Sequence, residues 1–152
     1  MNNILEKQYL KVEFKLLSPL SIGSGKNEKT DHDLLLNSRG VPYIPGSAIA
    51  GVFREACMKV MDEDWIQDYF GTMNNENVEE VEIRESQFKI YDAKIQTGEY
   101  FVSRRDGVAL DIYKYSIPGA KFDREVLESG VTFCTYVERE INKPEELDAG
   151  NI

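Results

Sequence analysis

Val41-Pro-Tyr-Ile-Pro-Gly-Ser-Ala-Ile-Ala-Gly-Val-Phe-Arg54 joins an extended arm to a helix through a glycine-serine junction. Pro42 and Pro45 fix φ and keep the residues before them extended, so Val41 to Ile44 is predicted to be an arm. From Ser47 the period changes. Ile49, Val52, Phe53, Ala56 and Val60 recur at helical spacing, which predicts an amphipathic helix from Ser47 to Met61. The first turn of such a helix holds free backbone N–H groups, here with no acidic cap, and Arg54 adds a charged donor two turns in. Gly46, Ser47 and Arg54 are therefore candidate phosphate contacts. The same Pro, Gly and Ser also suit a purely structural helix start.

On the N-terminal side, Leu10, Val12, Phe14 and Leu16 alternate with Lys11, Glu13 and Lys15, the period of a half-buried strand. Gly23-Ser-Gly25 opens a polar loop that runs through Asp31 and His32 to Asp33, and Leu34, Leu35 and Leu36 anchor its far end. On the C-terminal side, Asp62-Glu-Asp64 is expected to close the helix, because acidic residues disfavour a helix C-terminus. Trp65, Ile66, Tyr69 and Phe70 have the spacing of a short second helix stopped at Gly71, and aromatics at that spacing are more often core than a base-stacking platform. Met73 to Asn77 reads as a loop, and Val81 to Tyr91 as an irregular strand. Gly98, Gly107, Pro118 and Gly119 mark residues 93–123 as a long excursion with one short extended piece at Tyr100 to Ser103. Val131 to Ile141 is the last strand, with Val131, Phe133 and Val137 on one face.

Ser24-Gly25, Asp33-Leu-Leu-Leu36 and Arg39-Gly-Val-Pro-Tyr-Ile-Pro-Gly-Ser-Ala-Ile-Ala-Gly-Val-Phe-Arg54 together resemble the signature of the RAMP superfamily. These are the RNA-binding proteins of type III CRISPR effector complexes. Tyr69-Phe-Gly71, Asp92-Ala93, Arg105-Asp-Gly-Val-Ala-Leu-Asp111, Phe122-Asp-Arg-Glu-Val126 and Gly130-Val-Thr-Phe133 resemble later blocks of the family in the same order, so the resemblance covers nearly the whole chain. It implies an α+β, ferredoxin-like (RRM-type) domain over 1–152, an antiparallel sheet with helices on one face. It also implies binding to guide RNA and target RNA among other subunits of the complex. Only a βαββ portion of the βαββαβ unit is counted, with a helix start at Asn142-Lys-Pro-Glu-Glu-Leu147, so the domain is expected to be incomplete at the C-terminus. The family's C-terminal glycine-rich loop is not found, and an uncovered sheet edge is expected to need the next subunit or a second copy of the chain.

In target-cleaving members the position of Asp33 carries the aspartate needed for metal-dependent cutting, which makes Asp33 the candidate catalytic residue and Mg2+ the cofactor only if the chain is a nuclease. No second carboxylate cluster with metal-ligand spacing accompanies it, so no metal ligands are assigned. Ala50 stands where many guide-binding members have lysine. Arg104 and Arg105 are candidate RNA clamps or surface residues of a hairpin. A non-catalytic assembly module on the same fold is the alternative function.

Composition bounds these readings. Hydrophobic residues at 41% and charged residues at 30% fit a globular domain, and the net charge of −9 opposes indiscriminate nucleic-acid binding. Glu76, Glu79, Glu80, Glu82 and Glu85 concentrate much of that charge in one segment. Cys57 and Cys134 lack CxxC spacing and are expected to be buried free thiols. With no apolar run of signal-peptide or membrane-span length, a cytoplasmic protein is expected.

Overall fold

The protein is described by a computed structural model covering residues 6–23, 34–73, 83–96, 98–110, 113 and 116–141. Among these, seven strands and two helices follow one another: β1 (Glu6–Lys15), β2 (Tyr43–Ile44), α1 (Gly46–Cys57), α2 (Glu63–Phe70), β3 (Phe88–Ile90), β4 (Ala93–Ile95), β5 (Val102–Leu110), β6 (Ser116–Leu127) and β7 (Thr132–Ile141). One sheet has the order β1-β7-β4-β2 with β3 also on β7, and β5 and β6 form a two-stranded ribbon. The pairings of β2 with β4, β3 with β7, β4 with β7 and β5 with β6 are antiparallel, and the α+β class expected from the sequence holds.

The chain forms two compact units, one from Met1–Val12, Pro45–Asp92 and Thr135–Ile152 and one from Glu13–Ile44 and Ala93–Cys134. In the first, Pro45 at φ −58° and ψ 139° leads into α1, and its carbonyl accepts from the N–H groups of Ala48 and Ile49 at 3.0 and 3.2 Å. The helix ends at Cys57, short of Met61. Its inward stripe is Gly46, Ile49, Phe53 and Cys57, whereas Val52, Ala56 and Val60 are exposed, so the expected apolar face is rotated toward the small residues. Cys57 and Cys134 form no disulfide with one another, and both are half-buried rather than buried.

Asp62 does not close α1. It caps α2, its Oδ1 accepting from the N–H of Trp65 at 2.8 Å, and Glu63 and Asp64 fall in the first turn, where the helix dipole favours them. Gly71 ends α2 at φ +81°, a conformation that costs any residue with a Cβ. Trp65 and Tyr69 lie 4.4 Å apart by ring centroid, and Phe88 of β3 lies 4.9 Å from Tyr69 and 5.6 Å from Phe70. This aromatic cluster with buried Ile66 is core packing, as its spacing suggests. The irregular strand expected over Val81 to Tyr91 reduces to Phe88–Ile90, with Val81 and Glu82 outside the described residues.

In the second unit, β2 carries the proline arm onto β4, with Ile44 opposite Ala93. The segment 93–123, expected as an excursion with one short extended piece, is strand for much of its length. Ala93–Ile95 belongs to the sheet, and β5 pairs with β6 from Val102↔Leu127 to Leu110↔Ser116 with an irregularity between Val108 and Leu110. Leu34, Ile44, Ala93, Val126, Leu127, Val131 and Phe133 are the buried core of this unit. The segment from Asn142 onward lies outside the described residues.

Candidate functional site

Asp33, with Asp31 and His32, lies outside the described residues, but the frame on either side of this segment is well defined. Gly23 bridges Leu34, and the N–H of Leu35 donates to the carbonyl of Ile22 at 2.8 Å. Leu34, the residue after Asp33, is buried, and its N–H donates to Glu125 Oε2 at 3.1 Å. Glu125 of β6 stands directly opposite Arg104 of β5, and residues opposite one another on antiparallel strands share a face. Glu125 thereby brings together two sequence-predicted positions, the end of the Asp33 segment and exposed Arg104.

Arg105 is used differently. Its Nη2 donates to both carboxylate oxygens of Glu128 at 3.0 and 3.2 Å, and Ser103 Oγ donates to the same carboxylate. These two partners, the Ser103 hydroxyl first, hold the Glu128 carboxyl below its usual range. Arg124 stands opposite Arg105 in the ribbon and is exposed.

Gly46, Ser47 and Arg54 belong to the other unit, and there the expected free helix terminus is corrected. The N–H of Gly46 donates to Asp92 Oδ1 at 2.8 Å, so a carboxylate from 46 residues away already occupies the anion position. A Cβ on Gly46 would lie 2.0 Å from the carbonyl oxygen of Ile90, so the glycine serves close backbone packing. Arg54 Nη1 donates to the carbonyl of Gly71 at 2.8 Å, tying α1 to the end of α2, and the side chain is half-buried. Of the three, only Ser47 is exposed.

A polar cluster on the first unit's sheet was not foreseen. Lys7 Nζ lies 2.8 Å from Glu138 Oε1 and 3.1 Å from Glu140 Oε1, Lys89 Nζ lies 2.9 Å from Glu140 Oε1, and Tyr91 Oη donates to Glu138 Oε2 at 2.5 Å. The Glu138 side chain is only 3% exposed. Lys7 first, then Tyr91, hold its carboxyl at about 2 against the usual 4.5, and the same bonds push the Tyr91 phenol and the Lys7 ammonium up. A carboxyl depressed on folding gives stability that is complete above pH 4.5 and is lost as pH falls through about 2. In urea unfolding at a series of pH values, wild-type stability should fall more steeply across that window than that of Glu138→Gln. Parallel curves would show that Glu138 is not ion-paired in solution. The sequence signal was present in the alternate lysines of β1, but nothing local names their partners 131 residues away.

On the opposite side of that sheet, a groove of about 640 Å³ is lined by Leu10, Val12, Phe53, Cys57, Ile90 and Val137. Among the described residues no group of three or more His, Cys, Asp or Glu side chains is placed to hold a metal ion, and no helix is long and apolar enough to cross a membrane. A Mg2+ site is therefore not assembled from the described residues.

The fold is similar to a chain in the cryo-EM structure of the Type III-B Cmr-beta bound to cognate target RNA, with a TM-score of 0.70 at 12% identity over 95% of this chain and 88% of that one. A chain in the Type III-B Cmr-beta structure of the apo state gives 0.68 at 11% identity over 93% and 87%. No curated protein sequence matches. Residues 13–149 match the RAMP superfamily, and this chain belongs to it.

Proposed function

We propose that the chain is a guide-RNA-binding subunit of a type III CRISPR ribonucleoprotein complex, in which Arg104 contacts an RNA phosphate beside the segment that carries Asp33. The observation that carries this is Glu125, which accepts from the backbone of Leu34 and faces Arg104 across the ribbon. Membership of the RAMP superfamily and the similarity of fold to chains of the Type III-B Cmr-beta structures support it. Ser47 is a further candidate RNA contact, and Arg105 could join it only by sharing its bond to Glu128. Other subunits or a second copy of the chain flank it in the cytoplasm. Asp33, the position that cuts target RNA in cleaving relatives, is the candidate catalytic residue, with Mg2+ as the cofactor of that activity.

Filter binding with guide RNA tests the binding role. Arg104→Glu should weaken binding to all sequences alike and lower the salt slope by about one. Unchanged affinity and slope would remove Arg104. Asp33→Ala should abolish Mg2+-dependent cutting of target RNA while leaving its affinity intact, and cutting that survives would remove Asp33. The alternative, a non-catalytic assembly module on the same fold, predicts no guide-RNA binding by the wild type.

A further inference from the structure

In the first unit, the pleat of the sheet separates two sets of side chains. Gln8, Leu10 and Val12 of β1, Phe88 and Ile90 of β3, and Val137 and Arg139 of β7 line the groove beside α1, and Tyr9 borders it between Gln8 and Leu10. By alternation, Lys7, Tyr9 and Lys11 of β1, Lys89 of β3 with Tyr91 just beyond it, and Tyr136 and Glu138 of β7 belong to the other face. Pairing agrees with this assignment, since Lys89 is opposite Glu138, Lys7 reaches Glu138, and the N–H of Tyr91 donates to the carbonyl of Tyr136 at 3.0 Å.

Three large aromatic side chains on that face are left open to solvent: Tyr9 at 59%, Tyr91 at 48% and Tyr136 at 46% exposure. Exposed aromatic rings on one sheet face need a reason, because burying a tyrosine ring is favourable and leaving three exposed forgoes that gain. One of them is also fixed in place. The nearly buried carboxylate of Glu138 accepts from the Tyr91 hydroxyl, so this phenol is held at its polar end while the residue stays exposed. A ring held in this way loses little conformational freedom when a flat partner settles on it.

The charge of the face selects the partner. On this face of the first unit, Lys7, Lys11 and Lys89 against Glu138 and Glu140 leave one positive charge, in a chain whose net charge is −9. Aromatic side chains on an open antiparallel sheet with cations at their margins suit the bases and phosphates of unpaired nucleic acid. We propose that Tyr9, Tyr91 and Tyr136 form a stacking platform for single-stranded RNA bases, with Lys7 and Lys89 at its margin for the phosphates. The proposal rests on the RNA-binding reading above and adds a surface in the first unit to the Arg104 position in the second. It implies little sequence preference, since every base offers a π face.

The test uses the full chain and fluorescence anisotropy with a labelled single-stranded oligouridine, alongside guide RNA. Tyr136 is the cleanest position, because its side chain lies outside the Glu138 cluster. Tyr136→Ala should weaken oligouridine binding roughly 10-fold or more, while Tyr136→Trp, which restores a ring, should bind as wild type does. Tyr9→Ala should produce a loss of the same order, and an RNA duplex, with its bases paired, should bind more weakly than the single strand. Equal binding by wild type, Tyr136→Ala and Tyr9→Ala would overturn the platform and leave the RNA-binding reading standing, as would binding of guide RNA without oligouridine. Failure to bind either RNA would remove both readings. If Tyr136→Ala alters only self-association, measured by light scattering, the face is a protein contact and the proposal is wrong.

Discussion

Gly46→Ala is expected to destabilise the protein by about 1–3 kcal/mol or more, the range for a side chain forced into a site with no room. The added Cβ would meet the Ile90 carbonyl oxygen at 2.0 Å and the Ile90 carbonyl carbon at 2.9 Å. Both are backbone atoms, so no rotamer change relieves the overlap, and α1 must withdraw from β3. Withdrawal also stretches the bond between the Gly46 N–H and Asp92, which is the cap of a helix whose own N-cap, Pro45, supplies no side-chain acceptor. Gly51 provides the contrast within the same helix. A Cβ there meets nothing within 4 Å, so Gly51→Ala should instead stabilise by about 0.5–1 kcal/mol. Urea unfolding followed by circular dichroism measures both. A Gly46→Ala protein as stable as wild type would mean that α1 does not pack against Ile90 as described.

The two glycines also show what a sequence can and cannot announce. Local chemistry was legible: the proline arm, the short helix stopped at Gly71 and the last strand follow from φ restriction, positive φ and period-two patterning, all properties of a few adjacent residues. Partners distant in sequence were not. Asp92 closing the terminus of α1, Gly71 accepting from Arg54 and Lys7 pairing with Glu138 depend on how strands and helices meet, and a helix terminus that reads as bare in the sequence is met by a carboxylate from elsewhere in the chain. The ribbon was concealed for a different reason. Pro118 and Gly119 usually punctuate loops, but in a two-stranded ribbon each strand has an unpaired edge, where a missing N–H costs little. At the candidate site, Arg104 was legible as a residue, whereas its placement beside Leu34 through Glu125 required the pairing register.

Phe133→Ala should have the largest effect of a single side-chain truncation, about 3–5 kcal/mol, as for aromatic residues removed from well-packed cores. Phe133 has no exposed surface, and its ring stacks on Phe14 with centroids 5.7 Å apart and planes 15° apart. It stands opposite Ile95 in the β4–β7 register, and Ala93, Leu127 and Val131 of the same unit are buried with it. Collapse into the vacated space is limited because these neighbours are backbone-paired in strands or bridges, Leu127 through two bonds of 2.8 Å with Leu20. A loss of that size is a large part of the 5–15 kcal/mol that typically separates folded from unfolded domains, so the variant should show a much lower urea midpoint. Tyr136, three residues along the same strand and 46% exposed, is the internal comparison: Tyr136→Ala should change stability by only about 0.5 kcal/mol while affecting the RNA contact. Phe133→Leu should fall between wild type and Phe133→Ala, because it refills part of the volume. If Phe133→Ala loses less than about 1 kcal/mol, the ring does not anchor this core, and the division of β7 into a face that holds the fold together and a face that meets RNA fails with it.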